Sequence, residues 1–222
     1  MTGFAATAAL LADPARAAML SALLPGEALT AGELARIAGV APSTATEHLA
    51  RLTDGGLLSL HKQGRHRYFR LAGEEVATLL ETLGGLQARH SRAPWPHGVT
   101  FRAARLCWNH VAGQLGVALH ERLVGQGWIA PIGGGWQATT EGDRRLAALG
   151  IAAGTTCRDC MDWSERRPHL AGALGAELAK TLQQRGWLRR LSPRSENALE
   201  RRRLTVTSEG ARQLRETLGI AL

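Results

Sequence analysis

The 222-residue sequence predicts a mainly helical α+β fold with small β-hairpins, arranged in two domains. Amphipathic helical segments alternate with short strand pairs along the chain. Two prolines and a glycine fall within the eight residues 91–98, which disfavours both helix and strand there. Beyond that break, one half of the remaining chain repeats the other. We therefore expect a first domain at 1–90, a linker at 91–99 and a second domain at 100–222.

Four helices, a hairpin and a closing helix are predicted for the first domain. Asp13 followed by proline is typical of a helix start, because the carboxylate accepts amide hydrogen bonds and proline suits the first turn. Thr30 and Glu33 have the spacing of a capping box, and Pro42 stands where the fourth helix begins. Strands at 57–62 and 66–71 precede the closing helix. This order is that of a winged helix-turn-helix, which binds double-stranded DNA.

The fourth helix is the candidate DNA-reading element. In a helix-turn-helix, the second helix enters the major groove and its N-terminal residues meet the edges of the bases. Small hydroxyl side chains dominate the start of this helix, and a later arginine suits a phosphate. An exposed, merely solvated helix is the alternative. The predicted DNA contacts are Pro42, Ser43, Thr44, Thr46, Glu47, His48 and Arg51, although His48 could instead face the core.

The hairpin that follows is the candidate wing. Residues 61–70 carry four lysines or arginines and two histidines, without any acidic residue. Such a cluster suits the phosphates that flank a groove, although a solvated charge run would have the same composition. The predicted wing contacts are Lys62, Arg65, His66 and Arg67.

The composition of the chain agrees with a DNA-binding protein. The formal net charge is +8, which favours a polyanionic partner, and 45% of the residues are hydrophobic, as in a globular protein. No signal peptide, membrane span or motif of a hydrolase, nucleotide-binding enzyme or zinc protease is recognised. Three cysteines fit a reducing compartment. We expect a cytoplasmic protein that is not an enzyme.

Several runs in the first domain resemble the ArsR/SmtB-type winged-helix regulators. They are Leu11–Arg16, Thr30–Ala35, Pro42–Leu49 and the glycine and arginine at 64–65, with Tyr68 beyond. The resemblance implies a homodimeric repressor, paired through the first and last helices of this domain and released from its operator by an inducer. The family's usual inducer ligands are missing, because residues 33–36 contain no cysteine and the closing helix lacks the Asp/His set. We therefore expect the inducer to act on the second domain.

The second domain contains an internal repeat. Residues 110–128 recur at 169–187 with a constant offset, and nine positions are identical. Each copy reads as a helix, a Gly-Trp break, a hairpin and a closing helix. The repeat predicts two winged-helix-like halves.

All three cysteines lie in the second domain, and they leave several interpretations open. Cys107-x-x-His110 and Cys157-x-x-Cys160 could together form a Cys3His site for zinc or another soft metal. Cys157 and Cys160 could instead be a redox switch, or all three thiols could simply be buried. The polar and aromatic run containing Trp163, Arg166 and His169 also suits a small-molecule pocket. A winged-helix module that binds protein without operator specificity is the alternative for the whole chain.

Overall fold

The computed structural model describes residues 3–64, 66–90, 98–152, 154–193, 195 and 197–221. They divide into two compact units, one ending at Gly84 and the other beginning at Gly85, with the short segment from Ser195 to Ala198 grouped with the first. Most of the predicted linker at 91–99 lies outside the described residues. None of the described helices combines the length and apolarity needed to cross a membrane.

The N-terminal unit has the predicted order of elements. Its start and stop signals act as expected: Asp13 accepts a hydrogen bond from the Arg16 amide at 2.9 Å, and Thr30 and Glu33 form a reciprocal capping box. Gly39 ends its helix with φ +66°, a conformation that glycine adopts without strain. The elements are α1 (Gly3–Leu11), α2 (Pro14–Leu23), β1 (Leu29–Thr30), α3 (Ala31–Ala38), α4 (Pro42–Asp54), β2 (Leu58–Gln63), β3 (His66–Leu71) and the part of α5 (Glu74–His90) up to Gly84.

A three-stranded antiparallel sheet in the order β1-β3-β2 supports this unit. Its core is made by side chains that the helical and strand periodicities point inward, among them Met19, Leu20, Leu34, Leu49, Leu52, Phe69 and Leu71. Burial of these side chains holds α3 and α4 in the arrangement of a helix-turn-helix and anchors the base of the β2–β3 hairpin.

The C-terminal unit consists of two halves that share their order of strands and long helices, with one short helix before the first half and another between the last two strands of the second. Its elements are α6 (Gly98–Ala103), β4 (Arg105–Cys107), β5 (His110–Ala112), α7 (Gln114–Gly125), β6 (Ile129–Ile132), β7 (Gly135–Ala138), α8 (Thr140–Ala148), β8 (Thr156–Met161), β9 (Pro168–Ala171), α9 (Gly172–Gln184), β10 (Leu188–Arg190), α10 (Ala198–Arg202), β11 (Leu204–Val206) and α11 (Ser208–Leu218). Each half is a leading hairpin, a helix, a second strand pair and a closing helix. The helix, Gly-Trp break and closing helix of each copy are confirmed, as is the predicted hairpin of the first copy (β6–β7). In the second copy β10 and β11 pair but are joined through α10 and not by a hairpin turn, and the leading hairpins were not predicted.

The closing helices of the two halves begin in the same way, with a threonine cap and a glycine. Thr139 caps α8 and Thr207 caps α11, each accepting a hydrogen bond from the glycine amide three residues later. A Cβ on Gly142 would lie 1.8 Å from the Trp128 carbonyl oxygen, and one on Gly210 would lie 2.1 Å from that of Trp187. Both halves therefore need a hydroxyl side chain and a glycine at these positions.

The two halves share one hydrophobic core. It combines Leu115, Leu119 and Leu123 of α7 with Leu174 and Leu178 of α9. A four-stranded sheet in the order β6-β7-β8-β9 also joins the second strand pair of the first half to the leading hairpin of the second. The halves thus fold as one domain.

Candidate functional site

Helix α4 presents the exposed polar face that a DNA-reading helix needs. Ala45, Leu49 and Leu52 face the core, while Pro42, Ser43, Thr46, Glu47 and Arg51 are exposed and Thr44 is half-buried. The Thr46 hydroxyl donates to the Pro42 carbonyl oxygen at 2.9 Å. Most of the predicted contacts on this helix are thus on a solvent-facing surface.

His48 differs from the other predicted contacts, because its ring packs back against α2. Its Nδ1 lies 3.3 Å from the Arg16 guanidinium, and its Nε2 lies 3.9 Å from the Asp13 carboxylate. Arg16 in turn donates to the carbonyl oxygens of Ala9 and Leu10 at the end of α1. We therefore correct its role: His48 helps to fix α4 on the preceding helices, and its side chain is only 15% exposed.

The β2–β3 hairpin forms a cationic wing. Lys62 pairs directly with Arg67 across the strands, and Gln63 pairs with His66. Like charges in directly opposed positions destabilise a hairpin unless an anion lies between or beside them. Lys62, His66 and Arg67 are all exposed, and no acidic residue occurs from 58 to 71. The predicted wing contact Arg65 lies outside the described residues.

Comparisons with known proteins agree with this geometry. A helix-turn-helix domain family model matches residues 11–61. The chain is 36% identical over 192 residues to the uncharacterized HTH-type transcriptional regulator YdfF of Bacillus subtilis strain 168, covering 82% of this chain and 85% of the relative. The chain belongs to the HTH-type transcriptional regulators. It binds DNA through the helix-turn-helix of its N-terminal unit.

Other similar proteins match a smaller share of the chain. The regulator is 32% identical over 73 residues to the HTH-type transcriptional regulator YgaV of Escherichia coli K12, which is 33% of this chain and 74% of the relative. Among solved structures, HlyU from Vibrio cholerae is 27% identical and covers 39% of this chain and 92% of its own, with a TM-score of 0.36. The homodimeric winged-helix domain of Mb0332 from Mycobacterium bovis is 28% identical over 43% of this chain and 88% of its own, with a TM-score of 0.38.

The C-terminal unit of the regulator contains a buried cluster of two thiols and two imidazoles. Cys107, His110, Cys160 and His169 are at most 6% exposed, and one potential ligand atom from each lies within 4.8 Å of all the others. The two sulfur atoms are 4.0 Å apart and the two Nε2 atoms are 3.1 Å apart. Each leading hairpin contributes one cysteine and one histidine, which are direct cross-strand partners.

Cys157 is not part of this cluster. It lies on the extended strand β8 three positions before Cys160, so the two side chains point to opposite faces of that strand. Cys157 belongs to the large hydrophobic core, and Cys160 packs with Cys107 in a separate cluster. Burial, with the nearby Asp159 carboxylate, raises the pKa of the Cys157 thiol to about 12. The predicted Cys3His grouping and the Cys157–Cys160 switch are therefore both corrected, because a C-x-x-C sequence on a strand does not converge.

Asp162 organises the surroundings of the cluster. It is fully buried, accepts hydrogen bonds from the Arg105 guanidinium at 2.9 Å and the Gly113 amide at 2.7 Å, and lies 3.5 Å from His169 Nδ1. Burial opposes ionisation, but Arg105, the Ser164 hydroxyl and the Gly113 amide together hold the pKa of Asp162 well below its usual range. Asp162 is therefore a carboxylate that contacts both halves.

The remaining residues of the predicted small-molecule pocket do not converge with His169. The Trp163 ring stacks on the Arg105 guanidinium, with 4.9 Å between the guanidinium carbon and the ring centroid. Arg166 is exposed in the turn between β8 and β9, where its φ is +58°. The structure thus assigns one of these side chains to packing and one to a surface turn.

Sequence reasoning missed Asp162, Arg105 and Asn109, which surround the cluster. The best signal was already in the repeat: His110 and His169 occupy equivalent positions, so both halves place an imidazole at the start of their second hairpin strand. That equivalence predicts a shared site, although it does not show which cysteines belong to it.

Proposed function

We propose that this regulator is a homodimeric repressor that binds a specific operator. In this proposal, α4 enters the major groove with Ser43, Thr46 and Glu47 toward the bases, and the wing lies along the phosphates. The observation that carries it is the cationic wing, where Lys62 is held opposite Arg67 and no acidic residue occurs from 58 to 71. An arrangement that is unfavourable in the free protein is relieved by bound phosphate.

Exposed apolar side chains on α1 and α5 support the homodimer. No residue of α1 is buried, and Phe4 on this helix is 85% exposed. On α5, within the same unit, Leu79 and Leu83 are at least one-third exposed and lie four positions apart, which places them on one side of the helix. The resemblance to ArsR/SmtB-type regulators implies pairing through these same two helices, so a second copy is the occupant that we propose.

Control of DNA binding is assigned to the C-terminal unit in this proposal. The residues that bind inducers in the resembled family are missing from the N-terminal unit. The C-terminal unit, in contrast, contains several buried thiols, imidazoles and charged groups. The proposed inducer is a metal ion, a thiol-reactive agent or a small molecule. The regulator would act in the cytoplasm, where its operator is accessible.

Genomic fragment selection followed by fluorescence anisotropy tests the DNA proposal. The Lys62→Ala/Arg67→Ala double variant is expected to weaken operator and non-specific binding together, and to reduce the slope of log affinity against log salt by roughly 1.8, about 0.9 for each lost phosphate contact. Arg189→Ala, which removes an exposed strand arginine of the C-terminal unit, is the matched control and should leave both quantities unchanged.

Two results would contradict the proposal. An unchanged salt slope in the double variant would exclude the wing as a phosphate contact. Failure of the purified protein to enrich any sequence would exclude operator recognition and favour the alternative, a winged-helix module that binds protein.

A further inference from the structure

We propose that Cys107, His110, Cys160 and His169 bind one zinc-class divalent metal ion, which fastens the two halves of the C-terminal unit. Two thiolates and two imidazoles are a common ligand set for tetrahedral zinc. The first half supplies Cys107 and His110, and the second half supplies Cys160 and His169. The site differs from the Cys3His site that the sequence predicts, because His169 takes the place of Cys157.

The distances between the ligand atoms fit a tetrahedral ion. Zinc–sulfur bonds of about 2.3 Å and zinc–nitrogen bonds of about 2.0–2.1 Å place tetrahedral sulfur atoms about 3.8 Å apart and nitrogen atoms about 3.3 Å apart. The observed separations are 4.0 Å for the two sulfurs and 3.1 Å for the two Nε2 atoms. Each of these two separations is within about 0.2 Å of the tetrahedral value.

The environment of the imidazoles provides an independent argument for a cation. His110 Nδ1 lies 3.1 Å from the Asn109 side-chain oxygen, and His169 Nδ1 lies 3.5 Å from the Asp162 carboxylate. The Asn109 oxygen and, at a longer distance that makes no hydrogen bond, the Asp162 carboxylate both favour a proton on the adjacent Nδ1. With that tautomer, each Nε2 directs a lone pair at the other. Two lone pairs at this separation repel, whereas a metal between them accepts both. Oxygen acceptors behind ligating histidines are a regular feature of metal sites.

The charges of the four ligands also balance when a divalent ion is bound. Binding releases the two thiol protons, and the resulting thiolates neutralise the ion. The nearby Asp162 carboxylate is already paired with Arg105. No uncompensated charge is therefore left among Cys107, Cys160, His110, His169 and this ion pair, which avoids the large cost of burying one.

Two glycines let the halves approach closely enough to share the site. A Cβ on Gly116 of α7 would lie 3.3 Å from the His169 Cβ, and one on Gly175 of α9 would lie 3.2 Å from the His110 Cβ. Each half thus packs its helix against the histidine of the other. The near-complete burial of all four ligands describes a closed, structural site, without an open position for substrate.

Metal analysis and spectroscopy on the full-length protein test this inference. Wild type and Cys157→Ser are expected to contain one zinc per chain, and Cys107→Ser and Cys160→Ser to lose it. X-ray absorption at the zinc edge of wild type should show two sulfur and two nitrogen ligands, and a cobalt-substituted sample should show tetrahedral cobalt with thiolate charge-transfer bands. These wild-type spectra do not depend on whether a variant folds.

Several outcomes would overturn the inference. Wild-type protein that binds no zinc, even after zinc titration, would overturn it. A metal-free protein with two fewer free thiols than its cysteines would also do so, because that deficit indicates a Cys107–Cys160 disulfide. Equal loss of zinc in Cys157→Ser would also contradict the assigned ligands. The metal site does not depend on the proposed repressor function: a metal-free wild type that still binds its operator refutes only the site, and a zinc-loaded protein that selects no DNA refutes only the function.

Discussion

The two halves of the C-terminal unit begin with hairpins that carry the same Cys–His pair but have different turns. In the first half, only residues 108 and 109 separate Cys107 from its partner His110. In the second half, Cys160 and His169 also pair, but the turn at 162–167 is four residues longer and contains Asp162 and Glu165. The duplicated frame therefore supplies a symmetric set of ligands, and the longer turn supplies acids that only one half possesses.

These acids bind cations of the first half. Asp162 pairs with the buried Arg105 at 2.9 Å, and Glu165 forms two hydrogen bonds with Arg102, both 2.9 Å long. Burial opposes ionisation of Glu165, yet Arg102 and Ser164 hold its pKa below the usual value. The Cys–His pairs that both halves share therefore form the cluster, whereas the longer turn of the second half holds the two halves together.

The largest expected effect on stability follows from removing the charge of Asp162 in the longer turn. Asp162→Asn keeps the shape of the side chain but leaves Arg105 as an unpaired buried charge, which should lower the free energy of unfolding by about 3–5 kcal/mol. All six tryptophans lie at or beyond residue 95, so tryptophan fluorescence during urea unfolding reports on the C-terminal unit. Measurement in the presence of a chelator separates this effect from any bound metal.

Glu165→Gln is the matched control for that experiment. Its partner Arg102 is 37% exposed, so water screens the ion pair and the expected cost is about 1 kcal/mol or less. If both variants lost the same free energy of unfolding, burial of the Asp162–Arg105 pair would add nothing. The expected difference between the two acids would then be wrong.

A smaller effect is expected from breaking the symmetry at the helices. Gly116→Ala and Gly175→Ala each place a Cβ within 2.4 Å of a carbonyl oxygen of the preceding strand, so each should cost about 1–3 kcal/mol. Gly125→Ala, at the end of α7 with open space around it, should instead be neutral or stabilise by up to about 1 kcal/mol. Urea unfolding compares all three, and a large difference between the first two would contradict the equivalence of the halves.

The sequence predicted the N-terminal unit well because its determinants are local. Asp13, Thr30 with Glu33, and Gly39 act on amides or turns within a few residues of themselves, and each does so as expected. The role of His48 could not be read in the same way, because its partner Arg16 is on another helix, 32 residues away.

The cluster of the C-terminal unit was predicted only in part for the same physical reason. Its ligand pairs join residues 53 and 59 positions apart, and these contacts arise when two hairpins meet. Cys157-x-x-Cys160 has the spacing of a chelating turn, but β-pairing with β9 makes it an extended strand. Spacing alone does not distinguish a chelating turn from a strand. The pattern therefore predicted a cluster in the correct domain but wrongly included Cys157.

The smallest expected effect concerns the two closing helices, where the halves are most alike. The Thr139 hydroxyl donates to the Gly127 carbonyl oxygen at 2.7 Å and accepts from the Gly142 amide at 3.0 Å. The Thr207 hydroxyl donates to the Gly186 carbonyl oxygen at 2.8 Å and accepts from its helix amide at 2.9 Å.

Because both hydroxyls cap a helix and tie it to the preceding Gly-Trp break, Thr139→Ala and Thr207→Ala should each cost about 1 kcal/mol. Threonine-to-serine changes keep the hydroxyl and should recover most of that loss in the same unfolding measurement. The two costs should agree to within about 0.5 kcal/mol and add in the double variant, because these separate caps have no shared partner. Strong non-additivity would instead show that the halves are coupled at their closing helices as well.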